Sequence, residues 1–404
     1  MRDFALYFRR RAVTVFEEES AMAFLRAFQS LFRKQPPPAL PGEGERPAYR
    51  DTLSAIHDLS RLVRNDPEAV DIYLALGNLF RAQGDIERAV MIREGLIARQ
   101  NLNDSFKARA YFELGQDYHR AGVVDRALAA FRSAAGLGYP EGAVTAELAN
   151  LFASAGDFAQ AATEYGRLRH SLAQAHYLVR EGMEYAEGGE EAKAQKLLKR
   201  ALKIYPGSVE GWSAGIRMAL RQNAFKKTAS LLERGLSNVT PRLRFLLLDT
   251  ILETLPGESS AGQEVTPGAA PDSNPEADAA RIRGVCALVI PIVEKQEPGI
   301  LLHYYGALLL QRAGEMEAVE AWLSKALVVQ PDFWAARLQY LTLSVQQHEL
   351  SPVVGMQVDY LAGELKHLKR FSCTVCGFRE NRVFYRCRRC GSWYSLAFRL
   401  SLQQ

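Results

Sequence analysis

No stretch of the 404 residues holds the roughly 18 to 20 uninterrupted apolar residues that a membrane-spanning helix needs. Several enzyme signatures are missing as well. There is no GxxxxGK phosphate loop, no dinucleotide fingerprint after a strand, no HExxH and no GxSxG, which moves the reading from catalysis toward binding. Cysteine is scarce: there are five, and four of them crowd into 373–390. Nothing in the chain suggests a secretory context, so a disulfide framework has little support and the thiols fit a reducing compartment.

The four clustered cysteines form two CxxCG units, Cys373-Thr-Val-Cys376-Gly377 and Cys387-Arg-Arg-Cys390-Gly391, separated by ten residues. Each CxxC turn aims two sulfurs at one point, and two turns together supply the tetrahedral thiolate set that zinc or iron takes. Gly377 and Gly391 can adopt positive φ, which lets backbone N–H groups point at the sulfurs. The reading is therefore one bound metal ion, iron or zinc, held by Cys373, Cys376, Cys387 and Cys390; two disulfides or four separate thiols are the alternative. Cys286 lies in the apolar run Val285-Cys286-Ala287-Leu288-Val289-Ile290 and reads as a packed small hydrophobe.

Charge is unevenly spread. Residues 364–404 carry nine Lys/Arg against Glu364 and Glu380, a net +7, which leaves −3 on the first 363 residues. A basic metal ribbon can bind nucleic acid or another anionic surface, and a solvated face around the metal accounts for the same pattern.

The N-terminal segment 1–34 begins Phe4-Ala5-Leu6-Tyr7-Phe8 with Arg9, Arg10 and Arg11, and continues with Phe24, Leu25, Phe28, Leu31 and Phe32 at helical spacing. Such a helix can lie in an anionic membrane interface or pack on protein. It lacks the small-residue cleavage site of a signal peptide. A proline-rich linker at 35–48 ends it.

A repeat of about 34 residues organises 49–370. Gly84 with Ala89, Gly122 with Ala127, Gly156 with Ala161, Gly189 with Ala194 and Asn223 with Thr228 recur, the second members 38, 34, 33 and 34 apart. Leu76-Gly77 with Phe80, Leu114-Gly115 with Tyr118, Phe131 with Ala134, and Leu198 with Ala201 and Pro206 keep the same phase, as do Ala55 before them and Gly314 through Ala326 to Pro331 after them. The period is that of the tetratricopeptide repeat, whose two antiparallel helices meet at small side chains. The expected fold is all-α: a right-handed tetratricopeptide superhelix with a small rubredoxin-like or zinc-ribbon metal knuckle at 371–396. The stretch 256–280, with four prolines, three glycines and no aromatic residue, reads as a disordered insertion between helices at 242–255 and 280–294 that form one repeat. Helices near 333–347 and 352–369 are expected to cap the stack.

First helices of such repeats line an inner groove. Asn78, Gln116 and Asn150 fall at one equivalent groove position, with Arg81, His119 and Arg120 a turn onward. Carboxamides at regular steps can hydrogen-bond an extended peptide backbone, and arginines can grip its carboxylates. Carboxamides also serve solubility on any exposed helix.

Leu76-Gly77-Asn78-Leu79-Phe80-Arg81 with Gly84-Asp85 and Arg88-Ala89, Leu114-Gly115-Gln116-Asp117-Tyr118, and Cys373-x2-Cys376-Gly377-Phe378 with Cys387-x2-Cys390 and Trp393 together resemble the lipopolysaccharide assembly protein B family of Gram-negative bacteria. That resemblance implies a non-enzymatic adaptor, with no small-molecule substrate, on the cytoplasmic face of the inner membrane. It also implies protein partners: a membrane AAA protease and its client, the deacetylase that commits lipid A synthesis. The metal knuckle would pack on the repeats. Members of the family begin with a transmembrane helix, whereas this chain has the Phe/Arg-rich segment, so its expected location is the cytoplasm with peripheral membrane contact. A nucleic-acid-associated adaptor using the basic tail and an iron-based electron-transfer protein are the other readings.

Overall fold

A computed structural model of the chain describes residues 54–61, 69–256, 275–296, 298–347, 352–366 and 368–401. The N-terminal segment 1–34, the linker 35–48 and positions 257–274 of the insertion lie outside these residues. The chain divides into Met1–Ala55 and Ile56–Gln404, and the second unit is the one described below.

Helices pair in chain order: α1 (Val70–Gln83) with α2 (Ile86–Ile97), α3 (Asp104–Arg120) with α4 (Val124–Gly136), α5 (Glu141–Ala155) with α6 (Phe158–Arg167), α7 (Ser171–Glu187) with α8 (Glu191–Ile204), and α9 (Val209–Arg221) with α10 (Phe225–Asn238). Each pair is made by the same two devices. The first helix ends in a left-handed residue: φ is 87° at Gly84, 76° at Gly122, 82° at Gly156, 82° at Gly189 and 54° at Asn223. Only glycine, and less readily asparagine, takes that conformation without strain. Five residues later Ala89, Ala127, Ala161, Ala194 and Thr228 are almost wholly buried, so the helices close to van der Waals contact there. Short spacing and small side chains thus fold the sequence into an array of helical hairpins.

The second half continues with α11 (Phe245–Thr254), α12 (Pro275–Glu294), α13 (Ile300–Ala313), α14 (Met316–Val329), α15 (Trp334–Gln347) and α16 (Pro352–Lys366). Around the insertion α11 rests on α9 and α13, and α12 on α10 and α13, so these two helices pack on their neighbours rather than closely on each other as the expected single repeat would have them. The helical part resumes earlier than the expected boundary at 280. Pro275 opens α12, and Glu276 and Asp278 in its first turn favour the positive end of the helix dipole. Cys286 is packed as expected. It is 4% exposed, its thiol donates to the Leu309 carbonyl at 3.3 Å, and burial pushes its pKa up to about 11.

Two close approaches show how tightly the hairpins are fitted. A Cβ on Gly306 would lie 2.1 Å from Trp322, and one on Gly77 would lie 1.9 Å from the Arg93 guanidinium. Arg93 itself is fully buried, with Nε 2.8 Å from Asp117 Oδ2. Arg81 reaches the same carboxylate at 3.0 Å and Glu113 at 2.7 Å, so this ion network ties the first hairpin to the second.

The chain ends in a three-stranded antiparallel sheet, β1 (Phe371–Cys373), β2 (Arg379–Glu380) and β3 (Leu396–Phe398), in the order β2-β1-β3. Pairing of β3 with β1, Phe371 opposite Phe398, carries this unit past residue 396. Phe371 and Phe398 are buried against Phe245 of α11 and Tyr305 of α13. The sheet therefore shares one core with the second half of the array.

Candidate metal centre

The CxxC turns at residues 373–376 and 387–390 are built alike. The Cys373 carbonyl accepts from Gly377 N–H and the Cys387 carbonyl from Gly391 N–H, each at 2.9 Å. Gly377 (φ 69°) and Gly391 (φ 71°) are left-handed, which turns the following backbone back over the sulfurs. Val375 and Cys376 N–H groups donate to the Cys373 sulfur, and Arg389 and Cys390 N–H groups do the same for Cys387. Phe378 and Ser392 N–H groups serve Cys376 and Cys390. Two copies of one turn thus face each other.

All four sulfurs lie within 4.8 Å of one another, with Cys373 to Cys390 at 3.7 Å and Cys376 to Cys387 at 3.6 Å. A tetrahedral ion with metal–sulfur bonds of about 2.3 Å needs sulfurs about 3.8 Å apart. The donor set and its spacing fit one zinc or iron ion. The Ser395 hydroxyl lies 3.1 Å from the Cys373 sulfur and that of Ser392 3.2 Å from Cys390, so outer groups hold the ligands in place. Hydrogen bonds from Ser392 bring the Cys390 thiol down to about 6, and burial pushes Cys376 up to about 12. Cys390 is the exposed member, and exposed Arg388 and Arg389 flank it.

The knuckle is fastened to the first helices of successive repeats. Trp393 stacks edge-on against His176 and Tyr177 of α7, and the Tyr394 ring lies 6.1 Å from that of Tyr205. Tyr394 sits at φ 46°, an uncommon conformation for an aromatic residue. Its N–H donates to the Tyr385 carbonyl and its own carbonyl accepts from Arg242, both at 2.7 Å, which holds it there. Farther along, Trp334 of α15 donates from its indole to the Arg399 carbonyl at 2.8 Å. Arg386 lies over the Trp393 ring and reaches Asn150 of α5 at 3.5 Å.

The groove residues expected from sequence fall along one face of α1, α3 and α5, with differing surroundings. Asn78 accepts from Arg81 and Arg93, and Arg81 binds Glu113 and Asp117, so both are engaged inside the array. Gln116 donates to Glu147 at 2.9 Å, and the His119 ring nitrogen is 2.9 Å from the Ser154 hydroxyl. Asn150 accepts from the Tyr165 hydroxyl at 2.9 Å, and Arg120 is exposed. His119, Glu147, Asn150 and Arg386 line one cavity of about 400 Å³, where repeat and knuckle meet. Sequence reasoning missed Arg386, Trp393 and His176 as a docking set. Their only local signal was the arginine and tryptophan flanking the second CxxC.

Residues 50–92 and 178–208 match the tetratricopeptide repeat family. The chain is similar to lipopolysaccharide assembly protein B of Escherichia coli strain K12, 21% identical over 346 residues that cover 83% of this chain and 82% of that one, and the O157:H7 counterpart matches equally. Among solved structures, a tetratricopeptide repeat protein from Parabacteroides merdae is 15% identical, covering 66% of this chain and 96% of that one at a TM-score of 0.32. MamA is 21% identical over 39% of this chain and 90% of that one, with a TM-score of 0.31.

Proposed function

We propose that this chain is a non-enzymatic adaptor in lipopolysaccharide assembly, one that holds partner proteins on the first-helix face of its repeats. The observation that carries the reading is the similarity to lipopolysaccharide assembly protein B across 83% of the chain. A four-cysteine knuckle docked on the array supports it, since docking converts two small modules into one continuous surface. The partners are a membrane AAA protease and the deacetylase that commits lipid A synthesis, and the adaptor restrains lipopolysaccharide production by assisting degradation of the second by the first. Arg120, His119, Gln116 and Asn150 contact the bound segment, while Asn78 and Arg81 fix the helices that carry them. No helix among the described residues is long and apolar enough to cross a membrane. In this reading, attachment to the inner membrane from the cytoplasm rests on the basic and aromatic residues of segment 1–34 at an anionic surface.

The test is the half-life of the deacetylase in cells of the source organism that lack this chain. It is expected to lengthen severalfold, to return on re-expression of the parent, and to stay long with the His119→Ala, Arg120→Ala double variant. An unchanged half-life in the deletion strain would sink the protease-adaptor role.

A further inference from the structure

A cleft of about 350 Å³ opens between α7 and α9 beside the knuckle, where Tyr385 forms part of its wall. Exposed Arg180, Glu184 and Glu187 form its rim, and His176, Glu210 and Ser213 its floor. Glu210 and Ser213 are only 5% and 3% exposed. Glu210 Oε2 sits 2.8 Å from His176 Nδ1, but Glu210 Oε1 and Ser213 Oγ, both buried, have no hydrogen-bond partner. Buried polar atoms are nearly always satisfied, and an acceptor left bare on a carboxylate is especially costly.

Cations on the cleft wall already have neighbours. The Arg180 guanidinium lies 4.8 Å from the Phe158 ring centroid, and Arg217 pairs with Glu253 at 3.6 Å. Three carboxylates, those of Glu184, Glu187 and Glu210, therefore face a space at the small end of ligand cavities, with room for one long side chain.

We infer that the cleft takes the cationic side chain, guanidinium or ammonium, of an extended partner segment lying along the array. It donates charge-assisted hydrogen bonds to Glu210 Oε1 and Ser213 Oγ, and the rim carboxylates draw it in. This rests on the adaptor reading and deepens it: the bound segment carries a basic residue where it passes α7 and α9. A water molecule could satisfy the same two atoms without any preference for charge, and that difference decides the test.

The full-length, metal-loaded protein is titrated by NMR with acetyl-Ala-Ala-Arg-Ala-Ala-amide, with its lysine counterpart, and with one carrying citrulline, which keeps the shape of arginine without its charge. The arginine and lysine peptides are expected to bind about tenfold more tightly than the citrulline peptide. Glu210→Gln, which preserves volume, is expected to erase that preference while thermal unfolding stays cooperative. Should Glu210→Gln fail to fold, Ser213→Ala takes its place and is expected to reduce the preference severalfold. Equal binding of the three peptides, absence of binding, or a preference that survives in the folded variants would overturn the inference. A persisting preference in the parent alongside an unchanged deacetylase half-life would remove the cellular role and leave the cleft.

Discussion

Trp393 of the knuckle meets His176 of α7 edge-on, with ring centroids 5.0 Å apart and planes at 69°. The contact joins residues more than 200 positions apart and, with Arg386 lying over the Trp393 ring, fixes the second CxxC turn to the array. Trp393→Ala removes it without touching a sulfur. Docking should weaken by about 1–3 kcal/mol, given that the ring is half-buried. Amide exchange over 371–401 should then speed up at unchanged metal content; equal protection in variant and parent would show that the strands alone hold the knuckle.

The metal is expected to be structural. Four thiolates at tetrahedral spacing supply most of the folding free energy of so small a unit, on the order of 10 kcal/mol for zinc. Cys373→Ser and Cys387→Ser should each lose the ion and the order of the sheet. Metal analysis of the purified proteins decides this, and one equivalent of ion retained by both variants would refute the assignment. Visible absorption of the parent separates iron from zinc.

Arg93 and Asp117 form a fully buried pair whose members come from different hairpins. Removing one partner strands a charge, so Arg93→Met is expected to cost about 3–5 kcal/mol. Adding Asp117→Leu should recover much of that loss, because Arg81 keeps Glu113. Urea unfolding of the two proteins measures the recovery, and a double variant no more stable than the single one would count against a pairing role.

Asp249 lies where the array meets the knuckle, and burial pushes its carboxyl up to about 7, with Glu253 adding to the rise and Arg370 opposing it. A carboxyl whose native pKa is raised holds a proton that the unfolded chain has released. Its contribution to stability therefore falls as pH climbs from about 4 to about 7. Asp249→Asn lacks this loss. Relative to the parent, the variant should gain about 2 kcal/mol between pH 5 and pH 8 in urea titrations. A difference that stays flat across that range would mean the carboxyl titrates normally.

Much of the architecture was legible in the chain because it depends on local rules. A left-handed glycine at the end of one helix and a small residue five positions later are both short-range requirements, so Gly84 with Ala89 and its later copies mark the hairpins without any knowledge of their surroundings. The two cysteine turns were legible for the same reason, since each CxxCG turn is complete within a few residues. The start of α12 was not, because Pro275 reads as one more proline of the insertion until the helix it opens is seen.

Groove residues show where local reading ends. Asn78 and Arg81 occupy the predicted face, yet their polar atoms are claimed by Arg93, Glu113 and Asp117, and that outcome depends on how closely one hairpin rests on the next. By itself the sequence determined the period of the array, the residues at which its helices touch, and the two cysteine turns, all consequences of backbone conformation and side-chain size over short spans. Tertiary structure alone decided that 371–401 folds back onto helices as distant as α5 and α7, that Arg386 becomes part of a groove wall, and that Glu210 and Ser213 face a cleft. Those relations are set by the stacking of successive hairpins, which brings together side chains up to 236 positions apart.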